Sequence, residues 1–468
     1  MQVFLVGLAQ GPGLLLMHRI TAGVEVVMAG DLGEHGCVAA AVTLVGMGPG
    51  QELAGRARLD GDRVGHHSAP ERAASPLSSQ FCSGCYEQAD PSQILISRLG
   101  AGSAEMVSPH RCSMADQLTK LAYQTLQQGK ALFGITHKEV SSKLMQLLAP
   151  EGSPRFEPVP DQLLADLRQA MQTLQERDWQ EAEQGLYPAS LLFDAPWLDW
   201  ASRYPLVWLD MPAIWNRRRQ RNVRDLPRDV DQRAYPDYYL QNFHHQTDGY
   251  LSDHSASLYD LQVEILFNGT ADPMRRRVLA PLLRGLKAFT DHAPAQIRVL
   301  DVATGTGRTL RQLRGALPQA QLVGLDLSTA YLRQANRWLS ELPGELPQLV
   351  QGNGEAMPFA DASVQGITCV FLLHELPGEA RQNVINACYR LLEPGGVLVL
   401  ADSIQLADSP QFSTVMDNFR RGFHEPYYRD YIGDNIEARL GQAGFEAISA
   451  ETHFMTRVWS ARKRAQAA

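Results

Sequence analysis

The sequence predicts an α/β fold built on a doubly wound, Rossmann-like sheet, preceded by a mostly α-helical region. The first observation is VLDVATGTGRTL (residues 299–310), an apolar run that ends at an acid and is followed by two glycines. The second is the helical spacing of leucines at positions 310, 313 and 317. The third is a helical pattern that continues from residue 114 to about 290. A strand, a glycine loop and a helix N-terminus in this order typically bind a nucleotide.

Composition and charge restrict the partners of the chain. It has 468 residues, 20% of them charged, and a formal net charge of -8, so we expect no general attraction for nucleic acid or an anionic membrane. The apolar start, MQVFLVGLAQGPGLLLMHRI, has no basic leader region and is interrupted well short of a membrane span. Six cysteines at this length indicate a reducing compartment. We therefore predict a cytoplasmic protein with a small-molecule partner, and leave its oligomeric state open.

The first 113 residues differ from the rest of the chain. They contain no Lys, Asn or Trp and show no sustained periodicity, and the stretch RVGHHSAPERAASPLSSQ is typical of disorder. We predict a low-order segment over residues 1–113 and hypothesise that it is a translated upstream region, with Met114 as the true start; a genuine low-order extension is the alternative. Cys82 and Cys85 form a C-x-x-C pair, but Cys112 stands alone and no metal site is predicted.

Residues 114–290 predict a helical domain that includes a lid over the ligand site. The helical pattern from Met114 is broken at residues 149–160, where four prolines and a glycine occur. The next stretch, DQLLADLRQAMQTLQERDWQEAEQGL, predicts a long amphipathic helix whose charges form a solvated face. Residues 191–215 are rich in Trp and Pro, and we expect packed irregular structure there.

The glycine loop does not have the dinucleotide pattern. A Rossmann site for NAD has G-x-G-x-x-G, but the third glycine position is Leu310 here, and the acid Asp301 precedes the loop. Asp301, at the end of the strand, is the acid of a D-x-x-x-G-x-G loop. Such a loop suits a ligand that carries a cation and an amino acid. S-adenosylmethionine (SAM) is such a ligand, so the sequence favours SAM over NAD.

Residues 297 to about 461 resemble class I SAM-dependent methyltransferases, and are most similar to the small-molecule group that includes the ubiquinone/menaquinone C-methyltransferases. The glycine motif of that family falls on Asp301, Ala303, Gly305 and Gly307, with Ala303 replacing a glycine, a change we expect to leave the loop intact. The acid of the next strand, which accepts both ribose hydroxyls in the family, falls on Asp326. The resemblance implies a seven-stranded sheet over residues 291–468 that is closed by an antiparallel hairpin.

A third motif, GNGEAMPF (residues 352–359), stands where the family has an aspartate that accepts from the adenine amino group. Asn353 occupies that position and can still accept a hydrogen bond, though without a charge. The Tyr-Asp pair of the family's lid corresponds to Tyr259 and Asp260. The cofactor-binding residues that the resemblance implies are Asp301, Ala303, Thr304, Gly305, Gly307, Asp326, Leu327, Asn353, Gly354, Glu355 and Tyr259.

Aromatic and histidine side chains predict the acceptor site. His244 and Tyr428 are the candidate substrate contacts, and Tyr239, Phe243, His245 and Tyr250 are candidates to line the lid. His424 and Tyr427 are further stacking candidates, with core packing as the alternative for the two tyrosines at 427 and 428. A metal site from His244, His245, Asp248 and His254 is a less favoured alternative to a hydrogen-bonded lid. We expect Arg275, Arg276 and Arg277 on a solvated helix face, with contact to an anionic substrate as the alternative.

His374 follows the fourth strand of the sheet and is the candidate catalytic general base, because its ordinary pKa is near neutrality. The alternative is that His374 caps the strand as a polar residue or contacts the methionine part of SAM. The predicted function is SAM-dependent methylation of a small molecule, quinone-like or otherwise aromatic, at carbon or oxygen. The alternatives are a catalytically silent SAM-binding regulatory protein and an NAD-linked oxidoreductase.

Overall fold

The computed structural model describes residues 110–465, with side chains from residue 117 onward. The predictions for residues 1–109, including the Cys82–Cys85 pair, lie outside these described residues. The proposal that the chain starts at Met114 is not tested either. The first described helix begins at His110.

The helices before the sheet include the two predicted ones and one that was not predicted. The helix from Met114, the break at 149–160 and the helix from 161 are all present. The expectation of irregular structure at 191–215 was wrong, because most of that stretch forms a helix with Pro205 and Pro212 inside it. Its apolar residues Trp200, Val207 and Trp215 face a core at near-helical spacing. These helices are α1 (His110–Leu148), α2 (Asp161–Glu183), α3 (Trp197–Gln220), α4 (Asp253–Leu266), α5 (Ala271–Arg276) and α6 (Leu279–Leu286).

Seven strands form one sheet in the order β3-β2-β1-β4-β5-β7-β6, which confirms the predicted fold class. The first five strands pair in parallel, and β7 is antiparallel to both of its neighbours. The predicted hairpin is β6 and β7, which are separated by two residues. The strands are β1 (Arg298–Val302), β2 (Gln321–Asp326), β3 (Gln348–Gln351), β4 (Val364–Val370), β5 (Leu392–Ser403), β6 (Phe445–His453) and β7 (Thr456–Lys463).

Both faces of the sheet are covered, as a doubly wound fold requires. Alternate residues of β5 belong to different cores: Leu398 and Leu400 lie in one, and Val397 and Val399 lie in the other. The helices within and after the sheet are α7 (Arg308–Ala316), α8 (Thr329–Leu339), α9 (Gly378–Leu391), α10 (Ser413–Gly422), α11 (Tyr428–Tyr431) and α12 (Ile436–Ala443).

The helical region shares these cores with the sheet. Leu164 of α2 lies in the first core, and Leu282 of α6 lies in the second beside Val299 of β1. We keep as a proposal the predicted division of the chain into a helical domain that ends at residue 290 and a sheet domain that begins at residue 291. No helix within residues 110–465 has the length and apolar character needed to cross a membrane.

The arginine run at 275–277 is buried rather than solvated, which corrects the prediction. Arg276 donates to both carboxylate oxygens of Asp178 on α2, at 2.8 and 2.6 Å, and Arg277 donates to the same group at 2.5 Å. Tyr123 and Tyr187 also donate to Asp178. The expectation that the charges of α2 form only a solvated face is therefore wrong for Asp178. A sequence pattern cannot show a counter-charge from an element about a hundred residues away.

Candidate cofactor cleft and acceptor chamber

A cleft of about 960 Å³, open to solvent, lies at the carboxyl ends of β1, β2 and β4. The strand order reverses between β1 and β4, and open α/β sheets bind ligands at this switch point. The structure brings most of the predicted cofactor residues together here. Those that line the cleft are Ala303, Thr304, Gly305, Asp326, Leu327, Asn353, Gly354 and Tyr259.

The loop after β1 needs left-handed backbone at three positions. Gly305 and Gly307 have φ of 55° and 82°, and Gly307 also approaches α8, because a Cβ there would lie 3.0 Å from that of Ala335. Gly307 therefore packs the loop against α8 and does not line the cleft. Ala303 has φ of 56°, so the residue that replaces the family's glycine is strained.

Replacing Ala303 with Gly is expected to raise the free energy of unfolding by about 1 kcal/mol, because glycine adopts a positive φ without the steric cost that alanine pays. Ala438 is exposed on α12, and Ala438→Gly is the matched control. It should lower stability by about 0.5–1 kcal/mol. Urea unfolding curves of both variants measure the difference. A destabilised Ala303→Gly variant would contradict the left-handed conformation at Ala303.

Asp301 lies under the loop and does not line the cleft. Its carboxylate accepts hydrogen bonds from the hydroxyls of Thr304 at 2.7 Å and Thr368 at 2.6 Å. Burial raises the pKa of Asp301 to about 7. Asp301 thereby connects the loop to β4 through Thr304 and Thr368.

Asp326 lines the cleft at the end of β2. Its two carboxylate oxygens accept from the backbone amides of Gly305 and Ser328, both at 2.8 Å. Burial raises the pKa of Asp326 to about 6. Each carboxylate oxygen has a further lone pair, so the group can also accept from two ligand hydroxyls.

The residues of the third motif occupy two different positions. Asn353 lines the cleft, and its side-chain oxygen accepts from the amide of Glu355 at 2.9 Å. Glu355 does not line the cleft: its carboxylate accepts from the Tyr238 hydroxyl at 2.6 Å and from Asn383 at 2.9 Å. Glu355 therefore fixes the orientation of Tyr238, which does line the cleft.

Sequence reasoning missed several residues that line the cleft. Tyr331 packs against Tyr250 and Tyr259, with ring centroids 5.5 and 5.4 Å apart, and its hydroxyl lies 3.0 Å from that of Ser255. Tyr331 follows β2 by five residues on α8, and no motif marks it. Arg308 is a charged lining residue that sequence reasoning missed, and Arg275, expected on a solvated helix face, also lines the cleft. Glu375, which follows His374 after β4, lines the cleft too, but the sequence assigned it no role of its own.

A second cavity, here called the acceptor chamber, adjoins the cleft. Its empty space, including space open to solvent, is about 690 Å³, and it shares Tyr259, Phe371 and Glu375 with the cleft as lining residues. The predicted substrate and catalytic residues His244, Tyr428 and His374 all line this chamber. Its remaining walls are mostly apolar, from Val263, Leu266, Phe267, Val415, Phe419 and Met455.

His374 is held by a carboxylate on β5. Its Nδ1 atom lies 2.6 Å from Oδ1 of Asp402, and the same carboxylate accepts from the amide of Leu373. Burial opposes the charge on the imidazole, but Asp402 outweighs burial and raises the pKa of His374 to about 9. His374 is then protonated at neutral pH, and a protonated imidazole donates a proton rather than accepting one. This geometry does not favour the predicted general base.

The pKa of His374 predicts a pH dependence of stability. Its folded-state pKa of about 9 lies above the ordinary value of 6.5, so its contribution is complete below pH 6.5 and is lost as the pH rises through 9. The difference in unfolding free energy between the wild type and His374→Gln should therefore shrink between these pH values. Denaturant unfolding at a series of pH values measures it. A constant difference would show that Asp402 does not hold His374 in its charged form.

His244 lies between two carboxylates. Its Nδ1 atom is 2.9 Å from Glu425, and its Nε2 atom is 3.5 Å from Glu375. Burial opposes the charge, but the two glutamates outweigh it and raise the pKa of His244 to about 10. In the part of the chain that the structure describes, no group of three His, Cys, Asp or Glu residues is placed to hold a metal ion. His244 forms ion pairs with Glu425 and Glu375.

The lid residues are more deeply packed than the sequence suggested. Tyr428 is 2% exposed and its hydroxyl lies 2.8 Å from that of Ser403, while Phe243 is 1% exposed. Tyr427 packs against the aromatic cluster around Tyr250, and His424 bonds Gln241 through Nε2 at 2.7 Å. The lid is therefore part of the core. Truncation of Tyr428 is expected to lower stability as well as to affect the binding of any ligand.

Residues 299–396 match the sequence profile of the methyltransferase domain family. The chain contains a methyltransferase domain. The demethylmenaquinone methyltransferase of Thermotoga maritima is 33% identical over 152 residues, which are 32% of this chain and 59% of that protein. The ubiquinone/menaquinone biosynthesis C-methyltransferase of Desulfotalea psychrophila is 30% identical over 170 residues, 36% of this chain and 63% of that protein. The chain thus spans about three fifths of the length of these relatives.

A crystal structure of a SAM-dependent methyltransferase from Aquifex aeolicus is 19% identical, with a TM-score of 0.31, and covers 41% of this chain and 93% of that one. The predicted class I methyltransferase fold and the resemblance to the ubiquinone/menaquinone group are confirmed for the domain. The predicted cofactor, SAM, is the cofactor of this class of domain. The matched residues supply most of the lining of the cofactor cleft and one wall of the acceptor chamber. The rest of the cleft is lined by residues that precede the match: Tyr238, Tyr239, Tyr250, Tyr259 and Arg275.

Proposed function

We propose that the protein is a SAM-dependent methyltransferase whose acceptor is a small aromatic molecule such as a quinol. The observation that carries the proposal is the acceptor chamber, which meets the cofactor cleft at Tyr259, Phe371 and Glu375. A binding protein without activity needs the cleft alone. A transferase needs a second site next to it, because the methyl group passes directly between the two molecules.

In the cleft, Asp326 would accept from the ribose hydroxyls, and Asn353 lies where the adenine would be bound. Arg275 lines the same cleft, donates to Asp272 at 3.1 Å, and supplies a cation for the carboxylate of the methionine part. Asp301 and Gly307 would act by holding the loop, and Glu355 by holding Tyr238. Of the predicted cofactor residues, these three are assigned positioning roles.

In the chamber, His374 would donate to an acceptor oxygen and stabilise its negative charge. A bound SAM would supply the methyl group for the new bond to the acceptor carbon or oxygen, with S-adenosylhomocysteine as the neutral thioether leaving group. The acceptor loses one proton overall, and Glu375 is the carboxylate that lines both cavities and can receive it. The apolar walls hold the ring and exclude water from the reacting atoms.

The test supplies labelled SAM together with 1,4-naphthohydroquinone under reducing conditions and measures methylated product and S-adenosylhomocysteine. We expect product that depends on both reactants, and a lower kcat for His374→Gln with unchanged SAM affinity. SAM binding without turnover on this quinol or on other phenolic acceptors would contradict the proposal and favour the silent SAM-binding protein. His254→Gln, which changes an exposed residue of α4, is the control. If it lowers turnover as much as His374→Gln does, the effect at His374 is not specific.

A further inference from the structure

A third cavity, here called the helical cavity, lies between α1, α3 and α4, and its empty space, including space open to solvent, is about 940 Å³. Nothing in the proposed methyl transfer uses it. It shares His244, Tyr259, Val263 and Leu266 with the acceptor chamber, so the two cavities have a common wall. Most of its surface is apolar and includes Met145, Met211 and Trp215.

The polar lining of the helical cavity is basic. His137 and Lys138 of α1, Arg218 of α3, and His244 and His245 line it, and none of the described lining residues is an Asp or Glu. The nearby carboxylates are committed elsewhere: Glu375 and Glu425 flank His244, and Asp210 accepts from Thr247. Burial lowers the pKa of His137 to about 4 and that of His245 to about 3, so both imidazoles are neutral near pH 7, and the two glutamates offset the charge of His244. The cavity therefore combines an apolar interior with two cationic groups, Arg218 and Lys138.

Two of the lining groups are ready to receive an anion. Arg218 donates through one terminal nitrogen to the backbone oxygen of Arg421 at 2.8 Å, a neutral acceptor, and within residues 117–465 it pairs with no carboxylate. Burial lowers the pKa of Arg218 to about 10, as expected for a cation placed among apolar groups. Nδ1 of His245 is buried and makes no hydrogen bond with the described residues. A buried polar atom of this kind usually has a partner in the functional state.

Lys138 supports the same assignment. It is 1% exposed, and its ammonium group donates to the backbone oxygen of Leu266 at 3.0 Å. Burial lowers the pKa of Lys138 to about 7, so a bound anion would also stabilise its charged form. Lys138 and Arg218 come from different helices, α1 and α3, and an anion between them would join the two.

We propose that the helical cavity binds an apolar molecule that carries one anionic group, such as a carboxylate, with the anion at Arg218 and Lys138. The apolar body lies against Met211 and Trp215. Two sources share this chemistry: a distal part of the methyl acceptor, reaching through the common wall from the acceptor chamber, and a separate regulatory ligand. The binding site itself does not depend on the proposed methyl transfer.

The first experiment measures octanoate binding to the full-length protein by calorimetry, with 1-octanol as the uncharged probe of the same length. We expect saturable binding of one octanoate per chain and at least about tenfold weaker binding of octanol, because octanol cannot pair with the cations. Saturation with S-adenosylhomocysteine should leave octanoate affinity unchanged. Equal binding of the two probes, no octanoate binding, or displacement by S-adenosylhomocysteine would overturn the proposal.

Matched variants locate the anion. Arg218→Gln and Lys138→Met should each weaken octanoate binding by about tenfold or more. Arg219→Gln and Lys143→Gln, which change exposed residues on the same two helices, should not change it. Arg218 is only partly buried, so its variant is expected to fold even where Lys138→Met does not. An Arg218→Gln variant that binds octanoate as tightly as the wild type would overturn the assignment.

A second experiment distinguishes the two sources and rests on the proposed function. It compares turnover of 1,4-naphthohydroquinone with that of the same ring bearing a carboxyalkyl chain. A lower KM for the extended acceptor that is lost in Arg218→Gln supports the acceptor as the source. No gain in KM, together with intact octanoate binding, supports a separate ligand. Absence of turnover on both acceptors contradicts the proposed function but leaves the octanoate result standing.

Discussion

Replacing Asp178 with Asn is expected to lower the free energy of unfolding by about 3–5 kcal/mol, the loss typical of breaking one partner out of a buried ion-pair network. Asp178 is fully buried and accepts hydrogen bonds from Arg276, Arg277, Tyr123 and Tyr187. Burial opposes its charge, but the two arginines outweigh burial and lower its pKa to about 2. The variant leaves both guanidinium groups buried with less counter-charge.

The matched control is Glu183→Gln, which removes a carboxylate from an exposed position on the same helix and should change stability by less than about 0.5 kcal/mol. Urea unfolding at neutral pH measures both variants. Because the pKa of Asp178 is lowered in the folded protein, the stabilisation that Asp178 provides is present at pH values above its ordinary pKa near 3.8. This stabilisation is lost as the pH falls toward 2. Equal stability of Asp178→Asn and Glu183→Gln would contradict the network that joins α1, α2 and α5.

Replacing Asp326 with Ala is expected to raise the Kd for SAM by about a hundredfold or more. Each charged hydrogen bond to a ribose hydroxyl is worth about 1.5–3 kcal/mol, and the variant also frees the amide of Gly305 in the loop. Asn353→Ala removes only a neutral acceptor and should have a smaller effect. Calorimetric titration with S-adenosylhomocysteine measures both. Equal losses in the two variants would place the ribose away from Asp326.

The sheet and its loop were predictable because their signals are local. The strand before Asp301, the glycines at 305 and 307 and the two-residue connection of the final hairpin each lie within a dozen residues. The positive φ of Ala303 was the exception, since nothing in a single sequence shows that an alanine occupies a left-handed position.

The charges and the aromatic cluster could not be predicted in the same way. Arg276 and Arg277 follow a helical pattern that looks solvated, and only the fold brings Asp178 to them from α2. Tyr331 lines the cleft because α8 packs beside the loop, which depends on tertiary structure. The helix α3 was missed because its two prolines outweighed the helical spacing of its tryptophans.

His374 illustrates a partial success. The sequence placed it correctly at the end of β4, beside the residues that line the acceptor chamber. The local sequence cannot show that Asp402, on the neighbouring strand, holds it in the protonated form. Its chemical role therefore depends on a contact between the turn after β4 and the end of β5.

The central claim is that the cleft at the ends of β1 and β2 binds SAM rather than a dinucleotide, and parallel calorimetric titrations of the full-length protein with S-adenosylhomocysteine and with NAD test it most directly. We predict one S-adenosylhomocysteine per chain with micromolar affinity, at least about a hundredfold tighter than NAD, and loss of that preference in Asp326→Ala. Tighter binding of NAD by the wild type would contradict the claim.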